Sequence, residues 1–466
     1  MKGEGSVGWD FFPNDAIWMK KRRGHFRSGC VSSFNHTNRI PMKTTFDRRS
    51  FLGTSALAGA ALTMPVRGQA TSAGGKKAKV GLIGCGGRGS GALGNFTNAC
   101  QILGLEVEVT ALGDAFKAKA EAVGKKVGVS ADRCYGGFDA YRKVIDSGCE
   151  YILDATPPAF RPYHFDAAVE AGKHCFIEKP VAVDPVGARM VIATGEKAAA
   201  KGLAVVTGTQ RRHTAGYLKN KALIDAGAIG EIKGGVIQWN GTVPWVRPRL
   251  EGQSDADYLA NNWLNFTELS GDHIVEQHIH NIDVAVWFLN RLPVSAVGFG
   301  GRARRETGNQ FDFFSVDYDF GSDVHIHSQC RQITGTYGRV GEIFTGSEGV
   351  CYGGGKLTGK SVSIPEIKLD SDNGMVQEHV DMIRSVMTGK PLNQSRRIAE
   401  VTMVAIMGRI SAYTGEFLRL SDLMSNQDSP HYNLALSPAP ADFEKGAVKM
   451  PAENVAAMPG KPWGKS

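Results

Sequence analysis

Residues 78–89 read AKVGLIGCGGRG, a short apolar segment that runs directly into a G-x-G-x-x-G loop. The loop alone is weak evidence in a chain with 58 glycines. Its context is stronger, because the segment before it predicts a strand and residues 90–100 after it are compatible with a helix. Glycines allow the tight turn and let a diphosphate approach the amino terminus of that helix. The loop residues that we predict to bind a dinucleotide are Gly84, Gly86, Gly87, Arg88 and Gly89.

A second predicted strand, residues 107–113, ends at Asp114. Asp114 lies 25 residues after Gly89, close to the spacing of about 20 residues at which an acid binds the ribose hydroxyls of a dinucleotide. A carboxylate at this place repels the 2′-phosphate of NADP. The sequence therefore predicts NAD as the cofactor and makes NADP less favourable.

Strands and helices alternate through the rest of the first half. Residues 151–156, 174–177 and 203–206 predict strands, and residues 165–172 and 184–201 predict helices. This alternation is typical of a parallel, doubly wound α/β sheet, whose ligands lie outside the carboxyl ends of the strands. The residues at those ends that we predict to contact the cofactor are Thr156, Pro157, Glu178 and Gln210.

The composition is that of a globular protein, since 42% of the 466 residues are apolar and 21% are charged. A wholly disordered chain and a polytopic membrane protein are excluded. The net charge of +8 is concentrated in residues 1–70, which carry +7, so that the remainder carries only +1. A body of nearly zero charge has no electrostatic drive towards DNA or RNA, and we predict no nucleic-acid partner.

Residues 42–70, MKTTFDRRSFLGTSALAGAALTMPVRGQA, resemble a twin-arginine (Tat) signal peptide. The pair Arg48-Arg49 precedes an apolar run of twelve residues, residues 53–64. Such a run is shorter than the ~20 residues of a membrane-spanning helix. A membrane anchor is therefore the less favoured alternative, and we predict no stable membrane span. We expect residues 1–41 to be an upstream extension, with Met42 as the true start.

The Tat resemblance implies export of the folded protein by the Tat machinery to the periplasm or cell envelope. The cell envelope holds no free pool of nicotinamide nucleotide. We therefore expect an exported enzyme of this kind to hold its NAD tightly and not to release it at each turnover.

Together these features resemble the glucose–fructose oxidoreductase / inositol dehydrogenase / rhizopine-catabolism (Gfo/Idh/MocA) family. The matching features are the glycine loop, Asp114, residues 155–157 and above all Glu178-Lys179-Pro180. A later stretch, SGDHIVEQHIHNID at residues 270–283, aligns with a helix of the family that carries an acid and a histidine. The resemblance covers roughly residues 76–420.

The resemblance implies a Rossmann NAD-binding domain over residues 76–208 and an α+β domain over residues 209–420, followed by a tail over residues 421–466. The α+β domain has an open, mostly antiparallel sheet. One face of that sheet covers the nicotinamide and the other packs against another subunit, so that a homo-oligomer, a dimer or a tetramer, is implied. The segments that predict its strands are residues 231–240, 294–302, 312–320, 324–330 and 341–346.

Oxidation of a sugar hydroxyl requires a base that accepts the hydroxyl proton. The resemblance gives that role to Lys179, with His280 and Glu276 beside it, and we predict these three as the catalytic residues. Glu276 and His280 are four residues apart, hence on one face of a predicted helix. In that arrangement the imidazole can relay the proton, and the carboxylate can fix the imidazole tautomer or bind substrate hydroxyls.

Two residues depart from the family pattern, since Glu276 replaces an aspartate and His278 replaces a glycine. They bring His273, Glu276, His278 and His280 within eight residues, a set that could hold a metal ion. Residues 276, 278 and 280 cannot all face one way on a regular helix. We therefore predict no metal.

The second domain begins with a basic stretch, residues 211–213, that could bind an anionic or polyhydroxyl ligand. A long irregular stretch follows at residues 240–265, and loops of that length are usually functional. A tryptophan ring there could stack on a sugar. The residues that we predict to bind substrate are Arg211, Arg212, His213, His278 and Trp245.

Three functions are compatible with these features. The first is an exported, NAD-dependent oxidoreductase that acts on a CH–OH group of a sugar or sugar derivative. The second is an NAD-dependent glycoside hydrolase that oxidises its substrate transiently, eliminates the aglycone and regenerates the cofactor, a route without the paired carboxylates of ordinary glycosidases. The third is a non-catalytic sugar-binding protein, which the lysine, histidine and acid set disfavours.

Overall fold

The computed structural model describes residues 77–461, so that the predicted upstream extension and leader lie outside the described residues. The strands of the first sheet are β1 (Lys77–Ile83), β2 (Glu106–Asp114), β3 (Cys134–Gly136), β4 (Tyr151–Asp154), β5 (His174–Ile177) and β6 (Val205–Thr207). Their order is β3-β2-β1-β4-β5-β6, with all neighbours parallel. This is the strand order of a Rossmann fold, which confirms the predicted doubly wound α/β sheet.

The helices of the first half pack on this sheet. One of them starts directly at the glycine loop, with Gly86 as its N-cap. Another starts at Asp184, whose carboxylate accepts a hydrogen bond of 2.7 Å from the amide of Gly187, a standard N-cap that Pro185 at the first helical position reinforces. The helices are α1 (Gly87–Ile102), α2 (Lys117–Val127), α3 (Ala140–Ile145), α4 (Arg161–Glu170) and α5 (Pro185–Ala200).

The strands of the second sheet are β7 (Ile232–Gly241), β8 (Ser295–Gly301), β9 (Phe313–Asp319), β10 (His325–Gln332), β11 (Arg339–Gly346), β12 (Val350–Cys351), β13 (Leu357–Thr358) and β14 (Leu418–Arg419). They lie in the order β13-β12-β11-β7-β10-β9-β8-β14. All neighbours are antiparallel except β7 and β10. The mostly antiparallel sheet is therefore confirmed.

The longest helix of the second half links the two sheets. Nearly all of it is buried, and it packs against both α5 and β8, so that one hydrophobic core runs through both halves. The helices are α6 (Ala215–Asp225), α7 (Asp255–Asn261), α8 (Thr267–Ser270), α9 (His273–Glu276), α10 (Ile279–Leu289), α11 (Gly374–Met387), α12 (Ser395–Thr414), α13 (Ser421–Met424) and α14 (Pro440–Glu444), with 3₁₀ turns at Gln210–His213 and Trp263–Asn265.

The helix that we predicted to carry both Glu276 and His280 is broken, so that this prediction was wrong. Helix α9 ends at Glu276, and α10 begins after His278, which is its N-cap. The amide of His278 donates to the carbonyl of His273, five residues back, at 3.1 Å. The side chains at the break are bonded to β10, since Gln277 accepts from Gln332 at 2.8 Å. These tertiary bonds hold the chain out of a regular helix.

The chain after α12 returns over the first domain. Arg189 of α5 donates to the carbonyls of Leu423 and Tyr432, at 2.6 and 2.8 Å. Arg142 of α3 forms an ion pair of 2.7 Å with Glu444. The C-terminal segment therefore packs on the nucleotide-binding half.

Among residues 77–461, no helix combines the length and the apolar character needed to cross a membrane.

Candidate active site and cofactor cavity

The glycine loop has the shape of a dinucleotide cradle. Gly84 has a φ of 89°, and a Cβ there would lie 2.8 Å from the backbone of Thr156. A Cβ on Gly89 would lie 1.8 Å from the carbonyl oxygen of Gly84. Only glycine permits these close approaches of α1 to the loop and of the loop to the end of β4. Beside Gly86 and Gly87 the space is open, as a diphosphate at the helix amino terminus requires.

Asp114 is fixed at the edge of a cavity next to this loop. One of its carboxylate oxygens accepts from the amide of Cys85 at 2.8 Å, and the other from the amide of Phe116 at 2.9 Å. Each oxygen keeps a free lone pair for a ribose hydroxyl. We call this space the nucleotide cavity. The predicted cofactor residues that line it are Gly84, Gly86, Asp114, Thr156 and Pro157.

Thr156 also belongs to a buried polar network under the cavity. Its hydroxyl donates to Asp154 at 2.6 Å and lies 3.2 Å from Nδ1 of His164. Burial raises the pKa of Asp154, but the hydrogen bond and charge of His164, together with the charge of Arg161, outweigh it and lower that pKa. The network therefore fixes the end of β4 where the cofactor would pass.

Arg88 and Glu178 contact each other and not the nucleotide cavity. The Arg88 guanidinium forms an ion pair with the buried Glu178 carboxylate and lies 3.8 Å from Glu378 of α11. Burial and the charge of Glu178 raise the pKa of Glu378 well above its usual value, although Arg88 acts in the opposite direction. Glu178 also accepts from the amide of Lys179 at 3.2 Å. The pair therefore joins the glycine loop to the segment that carries Lys179.

Lys179, Glu276 and His280 come together despite the broken helix. The Lys179 amine donates to the carbonyl of Glu276 at 2.7 Å and lies 3.3 Å from its carboxylate. Trp239 of β7 stacks on the His280 ring at 5.7 Å and 21°. Burial, followed by the charges of Lys179 and Arg211, lowers the pKa of His280 well below its usual value, so that the ring is neutral. The described side-chain hydrogen bond of Glu276 is to Lys179 and not to His280, so that of the two predicted roles of the carboxylate the geometry does not show the fixing of the His280 tautomer, and the binding of substrate hydroxyls stays a prediction.

Arg211 lies beside this cluster, on the inner face of the second sheet. It forms an ion pair with the buried Glu342 of β11, which also accepts from Asn281 at 2.7 Å. Its guanidinium lies 5.9 Å from the Trp239 ring. Gln210, just before it, opens the 3₁₀ turn, and its carbonyl accepts from the hydroxyl of Thr214 at 2.9 Å.

Three predicted substrate residues have their polar atoms directed into the protein. Arg212 makes a two-pronged ion pair with the buried Asp283, with bonds of 2.8 to 3.0 Å. His213 lies 2.5 Å from Asp381 of α11. His278 is fully buried with Nε2 at 2.7 Å from Ser328, and burial lowers its pKa to about 3. Their described contacts are structural.

The histidine-rich stretch does not converge on one point. Nδ1 of His273 lies 2.9 Å from Asp272, whereas the ring of His278 is directed to β10. In the part of the chain that the structure describes, no three His, Cys, Asp or Glu side chains are arranged to hold a metal ion.

Several aromatic residues of the nucleotide cavity were not among the predicted site residues. Phe138, Tyr141 and Phe160 line it from the first domain, and Trp263 lines it from the second. Trp245, a predicted substrate residue, meets Trp263 edge to face at 5.8 Å. The signal that could have found Phe138 and Tyr141 is their position just after β3, the strand next to β2. With only three residues, β3 has no recognisable periodicity.

The fold and this site define an NAD-binding Rossmann domain joined to a sheet domain that faces it. The oxidoreductase family with an NAD-binding Rossmann fold (Gfo/Idh/MocA) matches residues 78–207, and its C-terminal domain matches residues 217–351. These matches span more than half of the chain, which belongs to the Gfo/Idh/MocA family.

Two relatives illustrate the similarity in sequence. The chain is 26% identical over 193 residues to scyllo-inositol 2-dehydrogenase (NAD(+)) of Bacillus subtilis, covering 41% of this chain and 49% of the relative. It is 30% identical over 212 residues to inositol 2-dehydrogenase of Agrobacterium fabrum, covering 45% and 54%. The chain thus spans about half the length of the curated relatives it matches.

Two solved structures share the fold. The dehydrogenase WlbA of Bordetella pertussis, in complex with NADH and UDP-GlcNAcA, superposes with a TM-score of 0.57 at 19% identity, covering 74% of this chain and 98% of that one. GenD2 from gentamicin A biosynthesis, in complex with NAD, superposes with a TM-score of 0.58 at 16% identity, covering 74% and 96%.

Proposed function

We propose that this protein is an NAD-dependent oxidoreductase that acts on a CH–OH group of a cyclic polyol, a sugar or a sugar derivative. The observation that carries the proposal is the contact of Lys179 with Glu276 beside the neutral His280. The inositol dehydrogenases among its relatives favour a polyhydroxyl ring as the substrate. Bound NAD would accept the hydride from the carbon that carries the reacting hydroxyl.

The residues of the cluster have distinct tasks. In its neutral form the Lys179 amine accepts the hydroxyl proton, and the Glu276 carboxylate, 3.3 Å away, can then accept a proton from the ammonium that results. The neutral imidazole of His280 can accept a hydrogen bond from a hydroxyl and orient the ring. Trp239, stacked on His280, presents an apolar surface to the same space. Arg211, held by Glu342, supplies a positive charge at its edge.

We also propose that the protein is exported by the Tat machinery, keeps its NAD tightly bound and works as a homo-oligomer. The first two parts rest on the leader sequence alone. The third is supported by the outer face of the second sheet, where Phe299 is 69% exposed and Phe313 is 39% exposed. Large exposed aromatic side chains in one region mark interaction surfaces.

The test begins with the full-length protein purified without added nucleotide. Released nucleotide is identified by mass spectrometry, and inositols and sugars are then supplied while NADH absorbance is followed. Near-stoichiometric NAD with substrate-dependent reduction supports the proposal. Absence of nucleotide, together with no binding of added NAD or NADP, contradicts it.

The glycoside hydrolase remains the alternative, because the same residues could oxidise a sugar transiently. A chromogenic glycoside distinguishes the two reactions. Release of the aglycone without net change in NADH indicates hydrolysis, whereas oxidised product formed with equivalent reduction of an acceptor indicates the oxidoreductase.

A further inference from the structure

The nucleotide cavity has a wall that does not come from the Rossmann domain. Ala260 at the end of α7 and Trp263 in the following 3₁₀ turn line it together with residues of the glycine loop. In this fold the acid after the second strand, here Asp114, binds the hydroxyls of the adenosine ribose. The catalytic Lys179 is not part of this lining, so that the cavity corresponds to the adenosine half of a dinucleotide.

The aromatic residues of the cavity are supported from behind by Phe443 of α14. Phe443 is only 2% exposed. Its ring centroid lies 5.0 Å from that of Phe138 and 4.9 Å from that of Phe160, distances at which aromatic pairs attract each other. Phe138, Trp263 and α7 residues belong to the same hydrophobic cluster. The C-terminal segment thus supports both the first-domain and the second-domain side of the cavity.

This segment is fixed at several points. The amides of Leu436 and Ser437 donate to the buried Asp184 carboxylate at 2.8 and 3.1 Å. The amide of Asn454 donates to the carbonyl of Gly308 at 2.8 Å. We call residues 436–454 the C-terminal clamp. The match to the family ends at residue 351, so that the clamp lies outside the part of the chain that the family describes.

We infer that Trp263 and the C-terminal clamp form a cap over the adenosine half of NAD, an inference that rests on the proposed function. Trp263 presents its ring to the adenine, and the clamp holds Phe138 and Phe160 in place through Phe443. Stacking of a base on an aromatic ring contributes substantially to binding. The cap therefore slows release of the dinucleotide, as a protein that cannot exchange its cofactor requires.

The test measures NADH release from the full-length protein. Protein loaded with NADH is mixed with excess NAD, and the decay of nicotinamide fluorescence gives the dissociation rate constant. Trp263→Ala and Phe443→Ala are expected to raise this constant about tenfold or more, because a stacking platform or its support is lost. Trp263→Phe keeps an aromatic face and is expected to restore most of the slow release. Phe417→Ala, whose side chain is 55% exposed, is the matched control.

Release at the wild-type rate from both alanine variants overturns the cap. Failure of the wild-type protein to bind NAD or NADH overturns the proposed function instead, so that the two failures are distinguishable. Thermal denaturation shows whether Phe443→Ala remains folded. If it does not, Trp263→Ala decides alone, because Trp263 is only partly buried and its truncation is less disruptive than that of the fully buried Phe443.

Discussion

The proposed hydride transfer depends on single side chains, and the role of Lys179 as the base can be tested by one substitution. Two of its hydrogen-bonding positions are directed to Glu276, so that in the neutral amine the lone pair is left to accept the substrate proton. We expect Lys179→Met to lower kcat by about 10²- to 10⁴-fold, the usual contribution of a general base, with unchanged nucleotide content. Steady-state kinetics and mass spectrometry measure both quantities. Lys219→Met, on the exposed side of α6, is the control. A Lys179→Met enzyme with wild-type kcat would show that another group is the base.

A second prediction concerns Asp114, whose charge we expect to set the preference for NAD over NADP. Asp114→Asn keeps one oxygen for the amides of Cys85 or Phe116 but removes the charge that repels a 2′-phosphate. We expect the ratio of the Kd for NADP to the Kd for NAD to fall by about tenfold or more, because like charges in contact cost at least 1.4 kcal/mol, or about a factor of ten. Titration of both nucleotides into wild type and variant measures it. An unchanged ratio would mean that other residues select the cofactor.

Elements with a strong local pattern could be predicted from the sequence. The strands of the first sheet other than β3 and the long strands of the second are apolar or alternating segments bounded by turn residues, and the structure has them within a few residues. The glycine loop was predictable because its strand and helix are its immediate neighbours in the chain.

The break between α9 and α10 could not be predicted, because its cause is not local. The sequence around Gln277 is compatible with a helix, but its side chain is bonded to Gln332 of β10, 55 residues away in the chain. The same limit applies to the pairing of Arg88 with Glu178. In both cases the partner becomes known only once the sheets are assembled.

Helix α11 contains a buried histidine, His379, that should lower the free energy of unfolding by a measurable amount. Both ring nitrogens of His379 lack a hydrogen-bond partner among the described residues, and the ring lies 4.2 Å from Phe176 and 5.9 Å from Phe96. Burial, followed by the charges of Arg88 and His213, lowers its pKa to about 3. When the pH is below about 6.5, the ordinary pKa of histidine, this imidazole binds a proton in the unfolded chain but not in the folded protein.

Because protons bind His379 only in the unfolded chain, the free energy of unfolding of the wild type decreases as the pH falls from about 6.5 towards 3. We expect His379→Leu to be more stable than wild type, and its advantage in free energy of unfolding to grow by about 2 kcal/mol between pH 7.5 and pH 5. Urea denaturation at the two pH values measures this difference. An advantage that does not change with pH would show that the imidazole titrates normally in the folded protein.

At the scale of the whole molecule, the two halves are not independent modules. Helix α12 contributes to a core shared by both sheets, and the C-terminal clamp returns to α3 and α5. This return could not be predicted from the sequence, because the clamp contains little regular secondary structure and its contacts with α3 and α5 join residues more than 200 positions apart. One consequence is that the nucleotide cavity is lined by residues from Ile83 to Trp263 and supported from behind by Phe443.

The outer face of the second sheet carries the prediction about assembly. Its polar groups bond to one another across strands, as Ser315 with His327 at 2.9 Å and Gln238 with Gln329 at 2.7 Å. Phe299, in contrast, projects with 69% of its surface exposed. A face with paired polar groups and exposed aromatic rings loses little by leaving water, and a two-fold interface would bring each copy of the face against itself.

We therefore expect Phe299→Glu to shift the protein from oligomer to monomer, because the substitution places like charges on both sides of a self-complementary interface. Sedimentation velocity measures the change. Val455→Glu adds the same charge to an equally exposed position, 61%, outside the sheet, and should leave the oligomer intact. If Phe299→Glu sediments like wild type, or if wild type is itself a monomer, this face is not a subunit interface, and the family resemblance does not extend to assembly.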